Sequence, residues 1–449
     1  MRTHIIDRER LFKKQSIACF ERMFQKGKYN FSYHPDFGGN ILHYAVLTGD
    51  LNRIKELLKY KLNINAKDNR EMTALHYAAL YGNWDTVQLL TEYGADVNEK
   101  DDFHNTVLHY VAWKGNWEQV QWLVEHGADI NAKGYTDWTL LHFAADSDNG
   151  ELIRRLVEYG LDIYEKDIYG AAAIHYIAEK GNLELIQWLS ARDVDVSIKG
   201  INGRTVLHEA TFSRKWELVQ WLITHGMNVN EKDNDGDTIL DSAVQSGSLE
   251  MVQWLVEHGA DVNNKDNVDG YTPIFNVVDR DNLKLAQWLV EHGADVNVKG
   301  FDNWTPLHSA AFFSTVEVVQ WLVEQDVEIN AQDEVGQTAL HYAVLNDNNS
   351  FELVQLLVEH GADVNIQSNY GESVLHLAGY YSFWTLARWL VEHGANINVK
   401  DNEGRTILYY AVKEKNLEQI QWLKDHGANN PGTTATWSCF KLLKKLFGW

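Results

Sequence analysis

A block of the form T-x-L-H returns along this chain at a step of 33 residues. It stands at Thr73–His76, Thr106–His109, Thr139–His142, Thr205–His208, Thr305–His308 and Thr338–His341. Divergent copies at Asn40–His43, Ala172–His175, Thr238–Asp241, Thr272–Phe275, Ser373–His376 and Thr406–Tyr409 bring the count to twelve. Two steps depart from the period: 34 residues between Asp241 and Phe275, and 35 between His341 and His376. A fixed period of this size predicts a stacked array of small units, not one globular core.

The period reads as local structure. Each block opens a short helical pattern such as Thr73-Ala74-Leu75-His76-Tyr77-Ala78-Ala79. Thr, Ser or Asn at its first position is expected to cap that helix by accepting a backbone N–H, and only Ala172 lacks the means. A Gly-Asn or Gly-Ser step follows, as at Gly115-Asn116 and Gly247-Ser248. A second pattern from Trp117 to His126 has its apolar residues at helical spacing, and Gly127 ends it. A polar turn, Ala128-Asp129-Ile130-Asn131, closes the unit. One such helix pair cannot bury its own apolar face, so stacking must supply the core.

These residues resemble the ankyrin repeat. Val252-Gln253-Trp254-Leu255-Val256-Glu257-His258-Gly259-Ala260-Asp261-Val262-Asn263 and Thr305-Pro306-Leu307-His308 carry the likeness, which covers about residues 35–430. The block has nearly lost its proline; only Pro273 and Pro306 remain. The resemblance implies an all-α repeat solenoid: helix-turn-helix units with hairpin loops, stacked so that tips and first helices line a concave groove. It also implies protein–protein binding without catalysis. Residues 1–34, with Ile17, Phe20 and Phe24 near second-helix positions, are expected to form a capping half-repeat with a polar outer face. Asn430-Pro431-Gly432 breaks the pattern, and residues 437–449 read as a short basic amphipathic helix. That segment fits a C-terminal cap, a membrane-surface or partner-docking helix with Cys439 open to lipidation, or an export signal.

Charge narrows the partner. The chain carries −23, but residues 1–28 hold +5 and residues 437–449 hold +3, leaving about −31 on the array between them. Such a surface repels nucleic acid and favours basic or amphipathic protein partners; simple solubility is the competing reading. Two cysteines far apart, Cys19 and Cys439, point to a reducing compartment. No signal-peptide pattern and no membrane-spanning run can be read, so a cytoplasmic monomer is expected, or an effector placed in a host cytoplasm.

Nineteen histidines raise the question of catalysis. Nine belong to the T-x-L-H block, and seven close the second helix as His-Gly: His126, His225, His258, His292, His360, His393 and His426. The resemblance implies that the first set ties repeats together; helix C-termini suit the second. No metal, nucleotide or nucleophile motif appears, and Asp233–Asp237 fits a hairpin tip better than a calcium loop. No catalytic residue, cofactor or metal is expected. The tryptophans at one second-helix position (Trp122, Trp188, Trp221, Trp254, Trp288, Trp321, Trp389, Trp422) are expected to pack.

The irregular positions carry the binding expectation. Carried over from the resemblance, tips and first-helix ends offer Tyr81, Phe103, Trp113, Tyr135, Trp138 and Tyr169 in the N-terminal part. Phe301, Trp304, Phe312, Phe313, Tyr370, Tyr380 and Tyr381 do so in the C-terminal part. Between them lie Asp235 and Asp237. Exposed aromatics are typical interface anchors, although several are equally able to tuck against neighbouring tips. The expected function is a non-catalytic scaffold whose aromatic and acidic groove docks a protein, with an effector acting on a host protein as one such role. A membrane-recruited adaptor, targeted by residues 437–449, is the alternative.

Overall fold

The computed structural model describes residues 38–60, 62–346 and 350–429. The expected N-terminal cap, the basic C-terminal segment and both cysteines lie outside the described residues. Among those described there are 24 α-helices, from Ile41–Thr48 to Leu417–Asp425, and no strands. Helices come in pairs, so the stack has twelve units in register with the twelve blocks. The chain divides into two compact units, Met1–Met227 and Asn228–Trp449; the division falls after the second helix of the sixth repeat.

The core is columnar. The apolar residue before each block histidine is buried, as at Leu75, Leu108, Leu141 and Leu340. The second helix adds a matching column, including Val120, Ile153, Val252 and Val319. Each repeat has only these few apolar residues, so burial requires the next repeat.

Polar side chains set the spacing. Eight of the nine block histidines have two jobs. In the second repeat, His76 Nδ1 accepts the backbone N–H of Thr73 (3.0 Å) and the Thr73 hydroxyl (2.9 Å). Its Nε2–H donates to the Asn105 carbonyl of the next repeat (3.1 Å). These partners fix a neutral tautomer. The arrangement recurs at His43, His142, His308, His341 and His376, whose arms reach Met72, Ala171, Gln337, Glu372 and Arg405. His109 and His175 instead reach Ala132 and Ile198 (3.0 and 3.2 Å).

The capping expectation holds at some repeats: Asn40 accepts the N–H groups of Leu42 (3.0 Å) and His43 (3.3 Å). Thr73 and Thr305 do accept the N–H of His76 and His308, each at 3.4 Å. At Thr106, Thr139, Thr205, Thr338 and Ser373 the hydroxyl bonds the imidazole instead. Ala172 lacks the hydroxyl, yet its N–H still reaches His175 Nδ1 (3.1 Å).

A second ladder runs through the asparagines of the A-D-V-N turn. Asn98 donates its amide to the Gly127 carbonyl (2.8 Å) and accepts the N–H of Asp129 (2.8 Å). Asn263 does the same with Gly293 and Asp295 (2.8 and 2.9 Å). Each rung satisfies backbone groups freed at a helix end.

Candidate partner-binding surface

Seven of the described hairpin tips are built on an aspartate; Gly134, Gly200, Gly300 and Ser368 stand in its place in four others. Asp101 Oδ1 accepts the N–H groups of Phe103 (2.9 Å) and Asn105 (2.8 Å). Asp167 does so for Tyr169 and Ala171, and Asp233 for Asp235 and Asp237. The other oxygen accepts a tyrosine hydroxyl from the first helix: Tyr77 on Asp68 (2.7 Å), Tyr176 on Asp167 (2.7 Å) and Tyr342 on Asp333 (2.6 Å). Burial and the adjoining carboxylate push these phenols far above their usual range. The result is a rigid tip that turns the residue two places after the aspartate outward. Phe103, Tyr169 and Asp235 stand there, all exposed. Asp266 holds a tip one residue longer, accepting from Val268, Asp269 and Gly270. That extra residue is the source of the 34-residue step.

The N-terminal unit brings some candidates together. The Phe103 and Tyr135 rings meet edge to face at 5.5 Å. Trp113 is 37% exposed, with the Lys114 ammonium over its ring at 5.3 Å. Tyr81 is half-buried and stacks on Tyr77. Trp138 is tucked in: its Nε1–H donates to Asp167 (3.2 Å) and its ring packs on Tyr176 at 5.0 Å.

The C-terminal unit repeats the pattern. Phe301, Phe313, Tyr370 and Tyr380 are 66%, 60%, 60% and 58% exposed. Phe312 is half-buried and braces Phe313 at 4.6 Å. Tyr381, also exposed, lies edge to face with Tyr380 at 5.0 Å. Trp304 packs on Tyr342 at 4.4 Å, and its buried Nε1–H has no partner. Trp138 and Trp304 are therefore braces beneath the tips, whereas Phe301, Phe313, Tyr370, Tyr380 and Tyr381 face solvent.

Sequence reasoning missed several exposed apolar residues, among them Phe212, Val268 and Phe383. The period contained the signal for two of them. Phe212 has the same phase as Trp113, and Val268 stands two after Asp266 as Phe103 does after Asp101. The Arg204 guanidinium lies over the Phe212 ring at 4.8 Å.

Acid gathers at the seventh repeat. Asp237 is half-buried; burial, then the charges of Asp241, Asp233, Asp266 and Asp235, push its carboxyl up to about 7. Among the described residues no group of three or more His, Cys, Asp or Glu side chains is placed to hold a metal.

The tryptophan stripe differs from expectation in kind. These rings are half-buried, and most lie flat on the histidine one turn on: Trp122 on His126 at 3.7 Å and Trp254 on His258 at 3.6 Å. The same histidines turn Nδ1–H back to the carbonyls of Trp122 (2.7 Å) and Trp254 (2.8 Å), capping the helix end. Some also meet the neighbouring second helix: Trp84 lies edge to face with Trp122 at 5.4 Å, and Phe351 with Trp389 at 6.1 Å.

Paired helices, interlocked hairpin tips and outward tip side chains define an all-α repeat stack. Family models described as ankyrin repeats match residues 12–101, 97–167, 174–266, 264–333, 314–401 and 340–435, and a second ankyrin model matches 146–189. The chain belongs to the ankyrin repeat family, whose repeats are protein–protein interaction modules and typically non-catalytic. No curated protein matches the chain.

Proposed function

We propose that the chain is a non-catalytic scaffold that captures a protein through its hairpin tips and first-helix ends. The observation that carries this reading is the set of large apolar side chains held out to solvent on rigid supports: Phe301, Phe313, Tyr370 and Tyr380 in one unit, Phe103, Tyr135 and Tyr169 in the other. Ordering such side chains costs little on binding because their bases are already braced. Acid stands on the seventh-repeat tip, at Asp235 and Asp237, and the array as a whole is strongly acidic. The partner that fits has apolar anchors for the rings and Lys or Arg for the acids. The test compares capture and affinity for wild-type chain and the double variant Phe313→Ala with Tyr380→Ala. A loss of about tenfold or more in affinity with an unchanged melting curve supports the reading; unchanged affinity places the partner elsewhere.

A further inference from the structure

The contact between the third and fourth repeats lacks an asparagine rung. From Asn65 to Asn398, an asparagine that closes a turn accepts a main-chain N–H of the following turn. Asn131 is the exception among the described residues. Its side-chain amide makes no hydrogen bond, and the Asp162 N–H and Gly160 carbonyl lack the bonds that Asp129 and Gly127 receive from Asn98. Wherever the rung forms, the residue before the bonded N–H is alanine, or valine at Val327; here it is Leu161. A leucine overfills a place built for alanine, and the backbone shifts to accommodate it. The second helix of the fourth repeat runs one residue further than its counterpart, to Tyr159 in place of the position matching Glu125. Gly160 then turns to φ 106°, against 90° at Gly127. The lysine ladder changes at the same place. Lys100 and Lys166 donate to the main-chain carbonyls of Lys133 and Lys199 (3.2 and 2.8 Å), whereas Lys133 turns to the Glu165 carboxylate.

Between the two turns lies a cavity of about 240 Å³. Ile130, Leu141 and Leu161 supply its apolar lining, and Asn131 and Asp162 reach it from opposite turns. Both of the latter are exposed, so the cavity opens to solvent. Its other polar groups are engaged: Lys133 with Glu165, the Thr139 hydroxyl with His142 (2.9 Å), and Asp162 Oδ1 with the Tyr164 N–H (2.9 Å). What remains unpaired is a side-chain amide on one side and a main-chain N–H on the other.

We propose that this gap binds a primary carboxamide, the end group of asparagine and glutamine side chains and of small aliphatic amides. A carboxamide offers two lone pairs and two N–H donors, so it can face the Asn131 amide and the Asp162 N–H together; a carboxylate brings no donor and an ammonium no acceptor. A charged ligand would also compete for the Lys133–Glu165 pair, which a neutral one leaves intact. The volume equals that of about eight waters at ~30 Å³ each. That is room for one side chain and falls below the range of cofactor pockets. The alkyl stem rests on Ile130, Leu141 and Leu161. None of these residues is a tip aromatic, so the site stands independently of capture at the tips.

NMR titration of the full chain, isotopically labelled at asparagine nitrogen, tests this; the Asn131 side-chain signals are those missing from Asn131→Ala. Butyramide and N-acetyl-glutamine methylamide are the probes, with butyrate and N-acetyl-leucine methylamide as controls. A saturable shift at Asn131 is expected with a Kd on the order of 1 mM, and none with the controls. Binding of N-acetyl-glutamine methylamide supports the proposal with a protein side chain as occupant; binding of butyramide alone supports it with a free amide. Asn131→Ala is expected to leave the melting curve unchanged, because its amide holds nothing, and to abolish saturation transfer to the probe. Leu161→Ala restores the residue found at other turns and is expected to close the gap. Binding is then lost, and exchange of the Asp162 N–H slows about tenfold as it gains Asn131 as acceptor. No shift with either probe, equal shifts with the controls, or saturation transfer that survives Asn131→Ala overturns the proposal.

Discussion

At the scale of the residue, the block histidine is where this chain is most exacting. A buried imidazole satisfies a backbone N–H at one nitrogen and a carbonyl of another repeat at the other. Replacing His341 with Ala strands the Thr338 N–H and leaves the Glu372 carbonyl with only the Ser368 N–H, and is expected to cost about 2 kcal/mol, read from denaturant midpoints. The same residues predict an acid response. Burial lowers the pKa of His43, His76, His142, His175, His308 and His376, and takes His109 and His341 down to about 4. Above their unfolded value of about 6.5 they are neutral in both states and their contribution is complete. As pH falls from there toward about 4 the unfolded chain gains protons that the fold refuses, and stability drops. Melting temperature against pH should show that slope, and His109→Gln with His341→Gln should make it shallower, the other six histidines still contributing.

At the scale of the element, second helices carry a tryptophan that is half-buried and stacked on its own cap. Trp254→Ala is therefore expected to cost about 1–2 kcal/mol, less than the 3–5 typical of a fully buried ring. Affinity of the folded fraction for a partner should not change. A tenfold affinity loss at constant stability would make the stripe a binding surface. The asparagine rungs act between elements. Asn263→Ala removes one donor and one acceptor to the following turn, and about 1 kcal/mol of stability should go with them. Exchange should speed at Asp295, whose N–H loses its acceptor, and remain unchanged at Asp129, which belongs to another rung.

At the scale of the whole molecule, binding and charge are separable. Variants of Phe313 and Tyr380 should raise dissociation, because such anchors act after docking. Asp235→Lys with Asp237→Lys should instead slow association, and added salt should slow the wild type in the same way. Stopped-flow association against ionic strength distinguishes the two; a rate indifferent to salt and to both lysines would remove the acidic stretch from the encounter.

The sequence by itself determined the repeat number, the helix pairs, the tips and the family, because a 33-residue period imposes the same local chemistry twelve times. It also exposed the breaks at Asp241 and Phe275. Exposure was beyond its reach. Trp138 and Trp304 read like Phe301 and Phe313 as tip or helix-end aromatics, yet the first two lie beneath the tips and the others face solvent. What separates them is a neighbour 33 or more residues away: Tyr176 and Tyr342 cover the tryptophans, and nothing of that kind covers Phe301. The same holds for charge. Asp233, Asp235 and Asp237 form an acidic run in sequence, but only the tertiary structure brought Asp241 and Asp266 to Asp237 and half-buried it. Burial and proximity across repeats set the energy of a carboxylate, and both belong to the stack.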